Sequence, residues 1–137
     1  FHTHRTRSHP CRQRHSRHLP LLLGVLYYKG EEGVLQDYAA AVVQYRLAAA
    51  QGYEMAQGDL GYMYDKGYGV AEDYAEAMRL YKLAAAQGDG SALYNVGLYY
   101  EMGYSVAADE AEAIRWYKRA AAAGISKAAD SLKQLGA

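Results

Sequence analysis

The sequence predicts an all-α fold, a solenoid of stacked helix–turn–helix hairpins, and three observations predict it. First, a set of residues recurs every 36 positions: Gly52, Gly88 and Gly124; Tyr45, Tyr81 and Tyr117; Asp37, Asp73 and Asp109. A fixed period of that size marks stacked supersecondary units. Second, 25 of the 137 residues are Ala, against two Pro and few Val or Ile, which favours packed helices over an all-β sandwich. Third, apolar residues inside each unit recur at helical spacing, and glycines stand where helices end.

The length suits one domain with a real core. Its zero net charge hides a split: residues 1–18 carry all five His, Cys11 and five Arg with no acid, whereas 19–137 carry 10 basic against 15 acidic residues. That body has neither His nor Cys, which removes most metal chemistry and most nucleophile–base pairs from it. Its acidity also argues against a nucleic-acid footprint there. A single Cys excludes an intrachain disulfide framework.

Residues 1–18 are polar, basic and without hydrophobic period, and disorder is expected. Three readings fit them: a basic arm for nucleic acid or acidic lipid, a His-rich metal-binding tract, or a terminal extension without a role. His2 and His4, His9 and Cys11, and His15 and His18 have loose ligand spacings but complete no motif.

The apolar run Leu19–Tyr28 imitates a signal peptide, but no A-x-A site follows it and it is too short to span a bilayer. Its Gly24-x-x-Tyr27-x-x-Gly30 is in phase with Gly61-x-x-Tyr64-x-x-Gly67, one residue being added in the loop GEEGV. The run is therefore the first helix of repeat one. Pro20 allows only about a turn upstream of Leu21.

In repeat two, Ala56, Leu60 and Tyr64 mark one face of the first helix, and Gly61 permits close approach of a neighbour. Gly67 ends this helix, and Gly67-Tyr68-Gly69-Val70 makes the turn. Asp73 caps the second helix, about Tyr74 to Ala86, with Glu76 three residues on; Asp109 and Glu112 repeat the pattern. Asp37 faces Ala40 instead, which predicts a weaker start. Ala77, Tyr81, Ala84 and Ala85 form the inner face, as do Ala113, Trp116, Tyr117, Ala120 and Ala121 in repeat three. Ser126 to Gly136 then reads as a capping helix with Ala128, Leu132 and Leu135 inward and Lys127, Asp130 and Lys133 outward.

The segments LGYMYDKGYGVAEDYAEAMRLYKLAAAQGD and VGLYYEMGYSVAADEAEAIRWYKRAAAAGISKA resemble Sel1-like repeats, a branch of the tetratricopeptide-like superfamily. The resemblance implies a right-handed α-solenoid of three Sel1-like repeats, about 19–54, 55–90 and 91–125, plus a capping helix over 126–136. Departures are Ser105 in place of the second loop Gly of repeat three, Leu19 where Ala56 and Ala92 stand, and Lys133 where the next first-helix Gly would fall. The family abounds in bacteria and occupies several compartments. Cytoplasm is the first expectation here, with periplasm or secretion compatible.

No complete catalytic constellation, phosphate loop, metal motif or cofactor motif is present, and the neighbouring carboxylates sit at helix starts where the dipole favours them. Some cysteine-rich secreted members of the family are linked to β-lactam chemistry. Their paired cysteines have no counterpart in this body, so that activity is not carried over. The expectation is a non-enzymatic scaffold or adaptor binding a protein or peptide, with a basic partner favoured, through a concave face of first helices. Candidate partner-binding residues are Asp59, Tyr62, Asp65, Asn95, Leu98 and Glu101, with Leu22, Val25 and Tyr28 in register in repeat one. Charge reversal at Asp59 plus Glu101 is expected to weaken partner binding without lowering the melting temperature. The alternatives are a larger secreted or envelope-associated repeat protein with hydrolase or effector activity, and nucleic-acid binding through residues 1–18.

Overall fold

The computed structural model describes residues 10–137, and of residues 10–17 the backbone alone. Residues 1–9, and the readings of the basic tail that rest on them, lie outside the described residues. Seven helices follow one another with no strand among the described residues: α1 (Pro10–Lys29), α2 (Tyr38–Ala50), α3 (Glu54–Lys66), α4 (Tyr74–Ala86), α5 (Gly90–Met102), α6 (Glu110–Ala122) and α7 (Ser126–Gln134). Each packs mainly on the helix before and the helix after it, so α1/α2, α3/α4 and α5/α6 are three stacked hairpins closed by α7.

The helix boundaries follow from local chemistry. Asp37, Asp73 and Asp109 cap α2, α4 and α6, each accepting from the backbone N–H three residues on at 3.0, 3.1 and 3.1 Å. The expected weaker start of repeat one is not found. The donor is a backbone N–H, which Ala40 supplies as well as Glu76 or Glu112 does. Those two glutamates bond instead to Arg79 and Arg115, one turn on. Gly67 and Gly103 end α3 and α5 in the left-handed conformation, with φ of 70° and 75°. Each connecting loop is then tied back to the first helix. Asp37, Asp73 and Asp109 donate their N–H to the carbonyls of Tyr27, Tyr64 and Tyr100 at 2.8–2.9 Å.

Repeat one departs from expectation in α1. The helix runs through Pro20, and the described part of it reaches back to Pro10, so residues 10–18, for which disorder is expected, are helical. Pro10 is the first described residue of the helix. Arg and Gln between it and Pro20 are good helix formers. Pro20 forfeits one backbone bond, yet the turns that follow pack on α2 and its neighbours through Leu21, Val25, Tyr27 and Tyr28. His18 also stacks on the ring of Tyr53, with centroids 5.0 Å apart.

The core forms two clusters of small and aromatic side chains. One centres on Ala41, Val42, Tyr45, Leu60, Met63 and Leu80. The other runs from Ala77 and Tyr81 through Val96 and Tyr99 to Tyr117 and Ala128, with Leu132 and Leu135 packed against it. Small Ala brings the helices close and the tyrosine rings fill the remaining space. Gly61 serves that packing: what approaches it is the ring of Tyr81 together with the Ala77 carbonyl of its own hairpin. Between repeats, Tyr38 stacks on Tyr68 at 4.7 Å and Tyr74 on Tyr104 at 4.8 Å. Gln87 adds a polar tie, donating to the carbonyl of Gly52 at 2.9 Å and to buried Gln57 at 2.8 Å.

Candidate functional site

The first helices α1, α3, α5 and α7 share one side of the stack, and three adjoining cavities lie along it. The first, about 400 Å³, opens between α1 and α3 and is lined by Val25, Tyr28 and Lys29 on one side and by Met55, Asp59 and Tyr62 on the other. The second, about 320 Å³, lies between α3 and α5 beside Gly58, Asp89, Ser91 and Asn95. The third, about 400 Å³, continues past Tyr94 to Ile125 and Lys127 at the start of α7. Asp59 and Tyr62 border the first two, and Tyr62, Ser91 and Asn95 border the second and third, so the three form one trough.

Five of the six candidate residues divide into two groups. Asp59, Tyr62 and Asn95 line the trough. Asp65 and Glu101 belong to the packing of the hairpins. Asp65 accepts from the hydroxyls of Tyr99 at 2.8 Å and Tyr81 at 3.3 Å, which ties α3, α4 and α5 together. Glu101 accepts from Tyr117 in the same register of repeat three. Burial, followed by these carboxylates, pushes the Tyr81, Tyr99 and Tyr117 hydroxyls far up from the ordinary tyrosine range. The expectation that reversing Glu101 spares the melting temperature therefore does not hold, because a lysine there leaves Tyr117 without its acceptor. Leu98 is half-buried and lines none of the three cavities.

Asp59 lies beside Asp89 on the trough wall. Burial, and then the charge of Asp89, push its carboxyl up to about 6. Asp89 itself caps α5, accepting from the Ala92 N–H at 3.0 Å. Sequence reasoning missed Met55, Met63, Tyr45, Asp89 and Ser91 as trough residues.

A further cavity, about 290 Å³, lies on the side of the second helices. Its polar groups are already paired: Arg46 donates to the Tyr64 hydroxyl at 2.9 Å and Arg79 to Glu76 at 3.1 Å. Among the described residues no group of three or more His, Cys, Asp or Glu is placed to hold a metal ion, and no helix is long and apolar enough to cross a membrane.

Comparison with known proteins agrees with this architecture. The Sel1 repeat family profile matches residues 21–53, 54–89 and 90–125. A crystal structure of c5321, a protective antigen of uropathogenic Escherichia coli displaying an SLR fold, is similar with a TM-score of 0.83 and 39% identity over 88% of this chain. A Sel1 repeat protein from Oxalobacter formigenes is similar with a TM-score of 0.77 and 37% identity over 82% of this chain. The chain spans 26% and 45% of those two proteins' lengths. Cysteine-rich protein B of Helicobacter pylori shares the fold, with a TM-score of 0.71 at 16% identity over 88% of this chain and 93% of its own. No curated protein matches the sequence.

Proposed function

The chain belongs to the Sel1 repeat family, and from that premise we propose that it is a non-enzymatic scaffold or adaptor that holds a protein or peptide partner along its first-helix face. The observation that carries this reading is the continuous trough over α1, α3, α5 and α7, whose borders include the exposed tyrosine Tyr62 and the polar side chains of Asp59, Asn95 and Ser91. Tyrosine brings contact area and a hydrogen-bonding tip at low entropy cost, and the acidic groups favour a partner of basic character. The opposite side offers polar groups that already satisfy one another.

The test is affinity capture from source-cell lysate with the 137-residue chain and with an Asp59→Lys/Asn95→Lys variant as baits, at two salt concentrations. A partner held by the first bait and lost by the second supports the adaptor and its face. A partner held equally by both overturns the face assignment.

A second reading places the chain within a larger secreted or envelope-associated repeat protein with effector activity. In its favour, the Escherichia coli relative is a protective antigen and the chain spans 26% of it. Fractionation of source cells separates the two readings: recovery in the cytoplasm alone contradicts the second.

A further inference from the structure

We propose that the cavity between α1 and α3 receives a single basic side chain, the lysine or arginine of a partner peptide. This rests on the adaptor reading and specifies what the trough selects.

The argument begins with a break in the repeat. Tyr45, Tyr81 and Tyr117 occupy one register on the second helices. Tyr81 donates to Asp65 and Tyr117 to Glu101, each an acid of its own first helix. In repeat one Tyr28 holds the register of Asp65 and Glu101, so the first helix offers Tyr45 no carboxylate. The 400 Å³ cavity opens beside this exchange, and both Tyr28 and Tyr45 line it. Its carboxylate comes instead from the next repeat, as Asp59, whose charge acts on the Tyr45 hydroxyl.

The lining fits a long basic side chain part by part. Val25, Met55 and Met63 offer apolar wall for the methylene stem. Asp59 offers a charge-assisted bond to the head, and its partial burial raises what such a bond is worth. The Tyr28 and Tyr62 rings add an aromatic site that attracts a cation. These rings are held by others: Tyr28 packs on Tyr38 at 5.6 Å, Tyr62 on Tyr68 at 6.0 Å, and Tyr38 and Tyr68 stack on each other. A site held in place loses little freedom on binding. Lys29 at the border is exposed, so its ammonium stays in water while an incoming cation takes the carboxylate.

The experiment titrates the full 137-residue chain with blocked peptides of sequence Gly-Ala-X-Ala-Gly, where X is lysine, arginine, norleucine or glutamate. Amide shifts are followed by NMR. Lysine and arginine peptides are expected to give saturating shifts at Val25, Tyr28, Met55, Asp59 and Tyr62, with norleucine weaker by about tenfold. Asp59→Asn is expected to reduce lysine affinity by about tenfold with the spectrum otherwise unchanged, and Tyr62→Leu to reduce it in a second, independent variant. Equal affinity for lysine and norleucine overturns the proposal, as does an Asp59→Asn protein that binds lysine normally. Shifts at Ser91 and Asn95 without preference for a basic peptide overturn the pocket and leave the adaptor standing. Shifts at no first-helix amide with any peptide also overturn the pocket, and the capture experiment then judges the adaptor separately.

Discussion

The ring of Tyr81 occupies the space that a side chain at Gly61 would need: a Cβ there would stand 2.9 Å from Tyr81 Cδ1. The same pair recurs along the stack. Gly24 meets Tyr45 and Gly97 meets Tyr117, each with a Cβ-to-ring approach of 2.7 Å. A mid-helix glycine ordinarily costs about 1 kcal/mol against alanine. Here it admits the ring that joins the two helices of a hairpin.

Replacing Gly61 or Gly97 by alanine should therefore destabilise the protein, against the helix-propensity trend. The ring has to leave its position, and overpacking of this kind costs roughly 1–3 kcal/mol. Urea unfolding checks the sign. A gain in stability from either substitution would contradict the packing described.

Asp65 joins three helices through two tyrosine hydroxyls. Asp65→Ala leaves both donors without their acceptor and should cost about 2 kcal/mol or more. Glu101→Ala, which strands the Tyr117 hydroxyl alone, should cost less. Thermal melts of the two variants, side by side, test the order.

Asp59 should behave in the opposite way. Its carboxyl titrates near 6 in the fold, pushed up by burial and then by Asp89, against an ordinary 3.8. Between those values the folded chain holds more protons at this site than the unfolded one. The contribution of Asp59 to stability therefore falls as pH rises from about 4 to about 6 and stays unfavourable above. Asp59→Asn should raise stability at pH 7.5 by on the order of 1–2 kcal/mol, and change it little at pH 4. Stability curves of both proteins at the two pH values are the check. A variant more stable than the parent but weaker in binding would mark Asp59 as a residue kept for function.

Ser105 takes φ of 58° where Gly69 takes 72° in the preceding repeat. Ser105→Gly relieves a left-handed conformation that costs a side-chain-bearing residue about 1–2 kcal/mol, offset in part by the greater freedom of glycine when unfolded. A melting temperature a few degrees higher is expected. Gly69→Ser should fail, since a Cβ at Gly69 would stand 2.5 Å from the Tyr38 backbone.

The repeat, its helices and its capping aspartates were legible in the sequence because they rest on spacing and on short-range chemistry: Asp73 needs only the Glu76 N–H, and Gly67 only its own φ. The extent of α1 was not. Pro20 argues locally for a break, and the contacts that override it, Leu21 to Tyr28 on the hairpin, are set by packing. The candidate face was half legible. A helical wheel groups Asp59 with Asp65, but it carries no information on the neighbouring helix, where Tyr81 and Tyr99 claim Asp65 and leave Asp59 in the trough.

The central claim is that partners dock on the first-helix side, and photocrosslinking reads that side directly. A benzophenone amino acid placed at Asn95, in the trough, and in a second protein at Leu83, beside the cavity of the second helices, gives two probes on opposite sides of the stack. After irradiation in source cells, a discrete crosslinked partner from position 95 and none from position 83 is the predicted result. Crosslinks from position 83 with none from position 95 would contradict the account.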